Sequence, residues 1–151
     1  MPLFLSCSKN DDYRDAFEGV YNTKAIGFID YNDDYDNETL WSESISDDDP
    51  ITVRKYSSDQ LTLTNEDGTM IADVDKEGNL SIPSYSYPET SIELETGDVL
   101  TLKLTETYTG VISGRTLYLQ ISVSGTAKIV SKEGTFDVNI EGNVVYNGTK
   151  K

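Results

Sequence analysis

Residues 116–129 alternate strictly. Leu117, Leu119, Ile121, Val123, Gly125, Ala127 and Ile129 share one parity, while Thr116, Tyr118, Gln120, Ser122, Ser124, Thr126 and Lys128 share the other. Side chains of a strand point alternately to opposite faces, so this stretch has one apolar face and one wet face. A helix would need apolar residues three and four apart, and that spacing is absent. The neighbouring stretches repeat the pattern. Leu100, Leu102, Leu104 and Tyr108 alternate with threonines and Lys103, and Phe136, Val138, Ile140, Val144 and Tyr146 alternate with Thr135, Asp137, Asn139, Glu141 and Asn143. Short breaks separate the runs, Ser113-Gly114-Arg115 and residues 131–134, and each holds a glycine suited to a tight hairpin turn. The pattern predicts an antiparallel meander of three strands, each about twelve residues or more where five or six is usual. Long strands with one dry face suit a curled sheet that wraps a core. Gly125 and Gly142 lie mid-strand on the apolar parity, where they relieve crowding as the sheet bends.

Upstream the runs are shorter. Phe17, Gly19, Tyr21, Thr23 and Ala25 share a parity in a first strand reaching about Ile29, and residues 39–45 form a second with Trp41, Glu43 and Ile45 on one face. Ser46-Asp47-Asp48-Asp49-Pro50 predicts a turn, because three acids and a proline do not continue a buried strand. Strands follow over 51–56, 60–64, 70–74 and 80–85, with turns at Asn65-Glu66-Asp67-Gly68 and Lys76-Glu77-Gly78-Asn79. Pro83-Ser84-Tyr85-Ser86-Tyr87-Pro88 ends an edge strand in a loop, since its prolines exclude a central sheet position. Residues 91–94 give one further strand, and the chain closes on a polar tail at 149–151.

The length of 151 residues suits one domain with its own core. The sequence contains no His, which excludes Ser-His-Asp and Cys-His nucleophile systems, His-ligated zinc and the usual acid/base near neutral pH. A formal net charge of −15 argues against neutralising phosphates, so no nucleic-acid partner is expected. The charge is uneven: thirteen acids lie between Asp11 and Asp49, opposed only by Arg14 and Lys24.

Two local signals give an address and a fold family. Phe4-Leu5-Ser6-Cys7 resembles the lipobox of bacterial lipoproteins. That resemblance implies lipidation of Cys7, the only cysteine, with residues 1–7 as the remnant of a signal. The six residues before Cys7 include no base, so a further upstream stretch is expected to complete the leader. Residues 8–15, with Lys9, Asp11 and Asp12, then read as a disordered acidic tether, similar to the export tether of some Gram-negative lipoproteins. Gly19-x-Tyr21 at the start of the first strand resembles the Gly-x-Trp element of lipocalin-like (calycin) barrels, with Tyr for Trp. It implies that Tyr21 plugs the closed end of a barrel spanning 16–148, with a helical turn before it as a lid.

Candidate chemistry is sparse. Glu106 shares parity with Leu104 and Tyr108, which places a carboxylate on the barrel interior or its rim, where it needs a partner or water; Arg54 and Arg115 are possible partners. Trp41 is either core or the wall of a pocket. Tyr31 and Tyr35 ride the acidic connection 30–38, and Tyr85 and Tyr87 form a tyrosine strip suited to sugar rings or peptide. Asp30, Asn32, Asp34 and Asp36 have the oxygen spacing of a calcium loop, but Tyr35 stands where Gly is needed and Trp41 where a bidentate Glu is needed. The expectation is an all-β, antiparallel up-and-down barrel, lipocalin-like or half-open, of about eight to ten strands. It is expected to be monomeric, without cofactor or enzymatic activity, and held at the outer membrane of a bacterial envelope through Cys7. It would bind a small amphipathic ligand or sugar at Trp41, Glu106, Tyr108, Tyr31, Tyr35, Tyr85 and Tyr87, or dock another envelope protein through its acidic loops.

Overall fold

The computed structural model describes residues 12–151; Cys7 and the first part of the tether lie outside the described residues. A 3-10 turn at Tyr13–Ala16 precedes eleven strand segments. These are β1 (Gly19–Asp33), β2 (Thr39–Asp48), β3 (Ile51–Lys55), β4 (Gln60–Asn65), β5 (Gly68–Val74), β6 (Asn79–Ser81), β7 (Tyr85–Ser86), β8 (Thr90–Glu93), β9 (Val99–Ser113), β10 (Thr116–Ser131) and β11 (Gly134–Lys150). All their pairings are antiparallel.

The eleven segments make eight staves. β3 continues the register of β2 along β1, since Lys24 pairs with Asp48 and Tyr21 with Ile51. β6, β7 and β8 likewise follow one another along one edge of β9. The order is therefore a plain up-and-down meander, and β11 returns to pair with β1 from Tyr21↔Lys150 to Asp33↔Val138. That pairing closes the barrel by joining its last strand to its first.

Closure is complete at one end only. β4 and β5 are short, and β6 touches β9 through just Asn79↔Val111 and Leu80↔Gly110. Beyond them the long strands β9, β10, β11 and β1 run on as a curled sheet, flanked by β2 on one side and β7 and β8 on the other. The inward side chains sort accordingly. Tyr21, Ile51, Val53, Leu61, Leu63, Ile112, Leu117 and Leu119 fill the closed end. Ala127, Val138 and Ile140, with Leu100, Leu102 and Leu104 against them, make a smaller cluster on the open sheet. Tyr21 is fully buried, and its hydroxyl donates to the Phe17 carbonyl at 2.8 Å. The 3-10 turn lies across this end, where the Tyr13 hydroxyl donates to the Val74 carbonyl at 2.8 Å.

Four expectations change. The predicted turn at 46–50 is a strand with a single break. Asp47 and Asp48 keep their charges in water on a sheet edge, and the Asp49 N–H still donates to Thr23 at 3.0 Å, so only Pro50 interrupts the ladder. The polar tail is paired, because Thr149 and Lys150 sit opposite Asn22 and Tyr21. The last residues of the expected tether are ordered, with Asp12 capping the 3-10 turn. Its carboxylate, held by Arg14, titrates at about 2. The fourth is Trp41, which is 59% exposed and not core.

Gly78 fastens the narrow seam between β6 and β9. Its carbonyl accepts the Ile112 N–H at 2.9 Å, its φ is +89°, and an added Cβ would lie 1.9 Å from the Ile112 carbonyl oxygen. Gly114 also has positive φ (+60°), but nothing lies within 4 Å of an added Cβ. Gly114→Ala is expected to cost about 1–2 kcal/mol of unfolding free energy from backbone strain alone. Gly78→Ala should cost about 1–3 kcal/mol more, from overpacking. Urea unfolding followed by circular dichroism measures both, and equal costs would mean that the seam is not tight at Gly78.

Candidate functional site

At the junction between the closed end and the open sheet, the interior is unfilled. A cavity of about 270 Å³ lies over the core, with Ile51, Leu63, Met70, Leu119 and Ile121 as its apolar lining and Asn65, Asp67, Thr69, Tyr87, Glu106, Tyr108 and Tyr146 as its polar one. A second hollow of about 460 Å³ shares Asp67, Glu106, Ile121 and Tyr146 with it and reaches the acidic edge at Asp47, Asp48 and Asp49. Sites of this kind place a few convergent polar groups over an apolar floor.

Glu106 is the centre. Its position on β9 puts it opposite Val123 of β10, on the inward face, as its parity predicts. The Tyr87 hydroxyl donates to Oε1 at 3.0 Å and the Tyr108 hydroxyl to Oε2 at 2.5 Å. Neither arginine proposed from the sequence is its partner: Arg54 faces outward beside inward Val53, and Arg115 Nη2 donates to the Lys150 carbonyl at 2.9 Å. Two phenols share the charge instead, and hydrogen bonds to an ionised acceptor are stronger than neutral ones.

The broken stave explains how Tyr87 reaches Glu106. Leu80 pairs with Gly110, Tyr85 with Glu106 and Thr90 with Leu102, so the register slips by one residue at each break. A slip of one residue turns a strand's inward face outward. Without the slip at Pro83, the odd-numbered residues would face away from the even-numbered Leu80. With it, Tyr85 and Tyr87 turn inward and pack edge to face at 4.7 Å between ring centroids.

The phenols show what surrounds them. Burial, then the Glu106 hydrogen bond and charge, push the Tyr87 pKa up to about 12 and the Tyr108 pKa well above its usual value. Tyr146 is pushed up to about 12, by burial first and then by the charge and hydrogen bond of Asp49. Asp49 is itself buried and accepts from Asn65 Nδ2 at 2.8 Å. Tyr146 was legible only as core, and Asp49 only as part of a turn.

The other candidates lie elsewhere. Tyr31 and Trp41 stack at 4.4 Å and 14° between rings, on the open sheet. Burial and then the charge of Glu43 raise the Tyr31 pKa. Tyr35 stands alone, 97% exposed, in the β1–β2 connection. Asp30, Asn32, Asp34 and Asp36 do not converge. Asp30 accepts from the Ser42 hydroxyl, Asn32 from Thr39 (2.8 Å), Asp34 from Asn139 (2.7 Å) and Asp36 from the Glu38 N–H (2.9 Å). Among the described residues no group of three or more His, Cys, Asp and Glu is placed to hold a metal.

Comparison with family models and with curated proteins finds no match. Among solved structures, the chain aligns with an auxiliary nutrient binding protein from Bacteroides thetaiotaomicron VPI-5482 at 10% identity and a TM-score of 0.32. The alignment covers 92% of this chain and 47% of that protein, so the chain spans about half its length. A similarity this slight carries no inference about function.

The phenol assignments have a measurable consequence. A phenol whose folded pKa is raised stabilises the fold below its unfolded value, near 10, and that contribution is lost as pH rises through the folded value. Ultraviolet titration of tyrosinate should therefore show a late group of phenols ionising near pH 12. Tyr87→Phe removes one of them. Glu106→Gln lowers the Tyr87 midpoint without restoring the ordinary phenol value of 10.0, because burial is the larger cause. A Tyr87 midpoint unmoved in Glu106→Gln would show that the two do not touch.

Proposed function

We propose that the chain is the ligand-binding domain of a bacterial envelope lipoprotein, holding a small amphipathic molecule at the mouth of a lipocalin-like barrel. The observation that supports this best is the cavity itself. A half-buried carboxylate clasped by two phenols stands over an apolar floor of Met70, Leu119 and Ile121, open on one side to solvent. A domain built only for stability would fill that volume, since cavities cost packing. Binding rather than turnover is the reading, because the sequence has no His to transfer protons near neutral pH. Lipidation of Cys7 rests on Phe4-Leu5-Ser6-Cys7 alone.

Native mass spectrometry of the full chain tests the ligand reading. A retained molecule of one defined mass is expected, and it should be lost in Ile121→Trp, which fills the cavity. Retention undiminished in that variant, or a clean apo mass against panels of lipids, amines and glycosides, would contradict it. Anchoring is tested separately. In a bacterial host, an alkyne fatty acid should label the wild type and not Cys7→Ala; equal labelling would remove the lipoprotein assignment.

A second reading has one observation in its favour. The 97% exposure of Tyr35 in an acidic connection supports docking to another envelope protein. Under that reading Tyr35→Ala abolishes capture of the partner while Ile121→Trp leaves it intact, the reverse of the ligand reading.

A further inference from the structure

We propose that the ligand at Glu106 is a cationic amphiphile, with an amine or quaternary ammonium head against the Glu106 carboxylate and an apolar body on Met70, Leu119 and Ile121. This rests on the reading of the cavity as a ligand site and names the chemistry that the site selects.

The hydrogen bonding at Glu106 favours this class. The two phenols nearest Glu106 are already engaged with it. Tyr87 and Tyr108 donate to Glu106, one Asn65 amide N–H donates to Asp49, and the Thr69 hydroxyl pairs with that of Thr64 at 2.9 Å. The unspent capacity at Glu106 is acceptor capacity. An ionised carboxylate offers about four acceptor positions, and Glu106 uses two. Such a site satisfies a head group that only donates or only carries positive charge. A charge-assisted contact favours a cation over a neutral sugar hydroxyl, and an anion is repelled.

Charge points the same way. No Lys or Arg lines either hollow, whereas Asp47, Asp48, Asp49, Glu66, Asp67 and Glu106 do. Among the described residues the ion pairs join Asp12, Asp15, Arg14 and Lys55, around the 3-10 turn. The mouth therefore carries uncompensated negative charge, which a bound cation offsets. Tyr87 and Tyr108 also line the cavity, and aromatic rings attract cations.

The test is isothermal titration calorimetry of the full chain, below micelle formation, with three probes of one tail length: decyltrimethylammonium, decyl glucoside and decanoate. The cation is expected to bind, decanoate not to bind, and the glucoside to bind at least about tenfold more weakly. Glu106→Gln should weaken the cation at least about tenfold, and Met70→Lys, which supplies an internal cation, should abolish it. Asp36→Asn, away from the cavity, should change nothing. Glucoside binding as tight as the cation, and sensitive to Ile121→Trp, overturns the cation assignment and leaves the ligand site standing. Cation binding weakened equally by Asp36→Asn and Glu106→Gln reflects surface charge and overturns the assignment. Three probes that all fail to bind, or that all bind regardless of Ile121→Trp, overturn the site as well.

Discussion

The structure depends on one pairing. β11 lies along β1 from Lys150 to Val138, and this ladder joins the last strand to the first. Without it the long strands would form an open sheet with two bare edges, and the closed-end core would lose a wall. The pairing also fixes the face of every inward residue. Tyr21, Thr23, Ala25 and Ile29 are set against Lys150, Gly148, Tyr146 and Gly142, and the row continues across β10 and β9 to Glu106.

Closure at one end and not the other creates the site. Short β4 and β5 seal only the core around Leu61 and Leu63. The long strands overrun them, so inward side chains past Ile121 have no opposite wall. Polar groups are tolerated there because water is near, and a carboxylate can sit on an inward face at modest cost. Glu106, Tyr108 and Tyr146 occupy this zone, with Tyr87 delivered by the broken stave.

Much of this was legible in the alternation. Residues 116–129 and their neighbours gave long strands, and the glycine-bearing turns at Gly68, Gly78, Gly114 and Gly134 gave the hairpins. The inward face of Glu106 followed from parity alone. Its partners did not. Two arginines were natural choices by charge, but register, not charge, decided the matter, and the slip at Pro83 brought Tyr87 inward instead. Single-residue slips leave no mark on an alternating pattern beyond the proline that accompanies them. The stretch from Ser46 to Pro50 failed for a related reason. Its acids excluded a buried strand, yet this is an edge, where solvent reaches Asp47 and Asp48.

The proposed ligand sits at Glu106, between the tyrosines and the apolar floor. A crystal structure of the full chain grown with decyltrimethylammonium tests it most directly. Density is expected for the head group against Glu106, with Tyr87 and Tyr108 still holding the carboxylate and the tail over Met70 and Ile121. Density confined to the Tyr31–Trp41 stack, or Tyr87 turned away from an empty cavity, would contradict it.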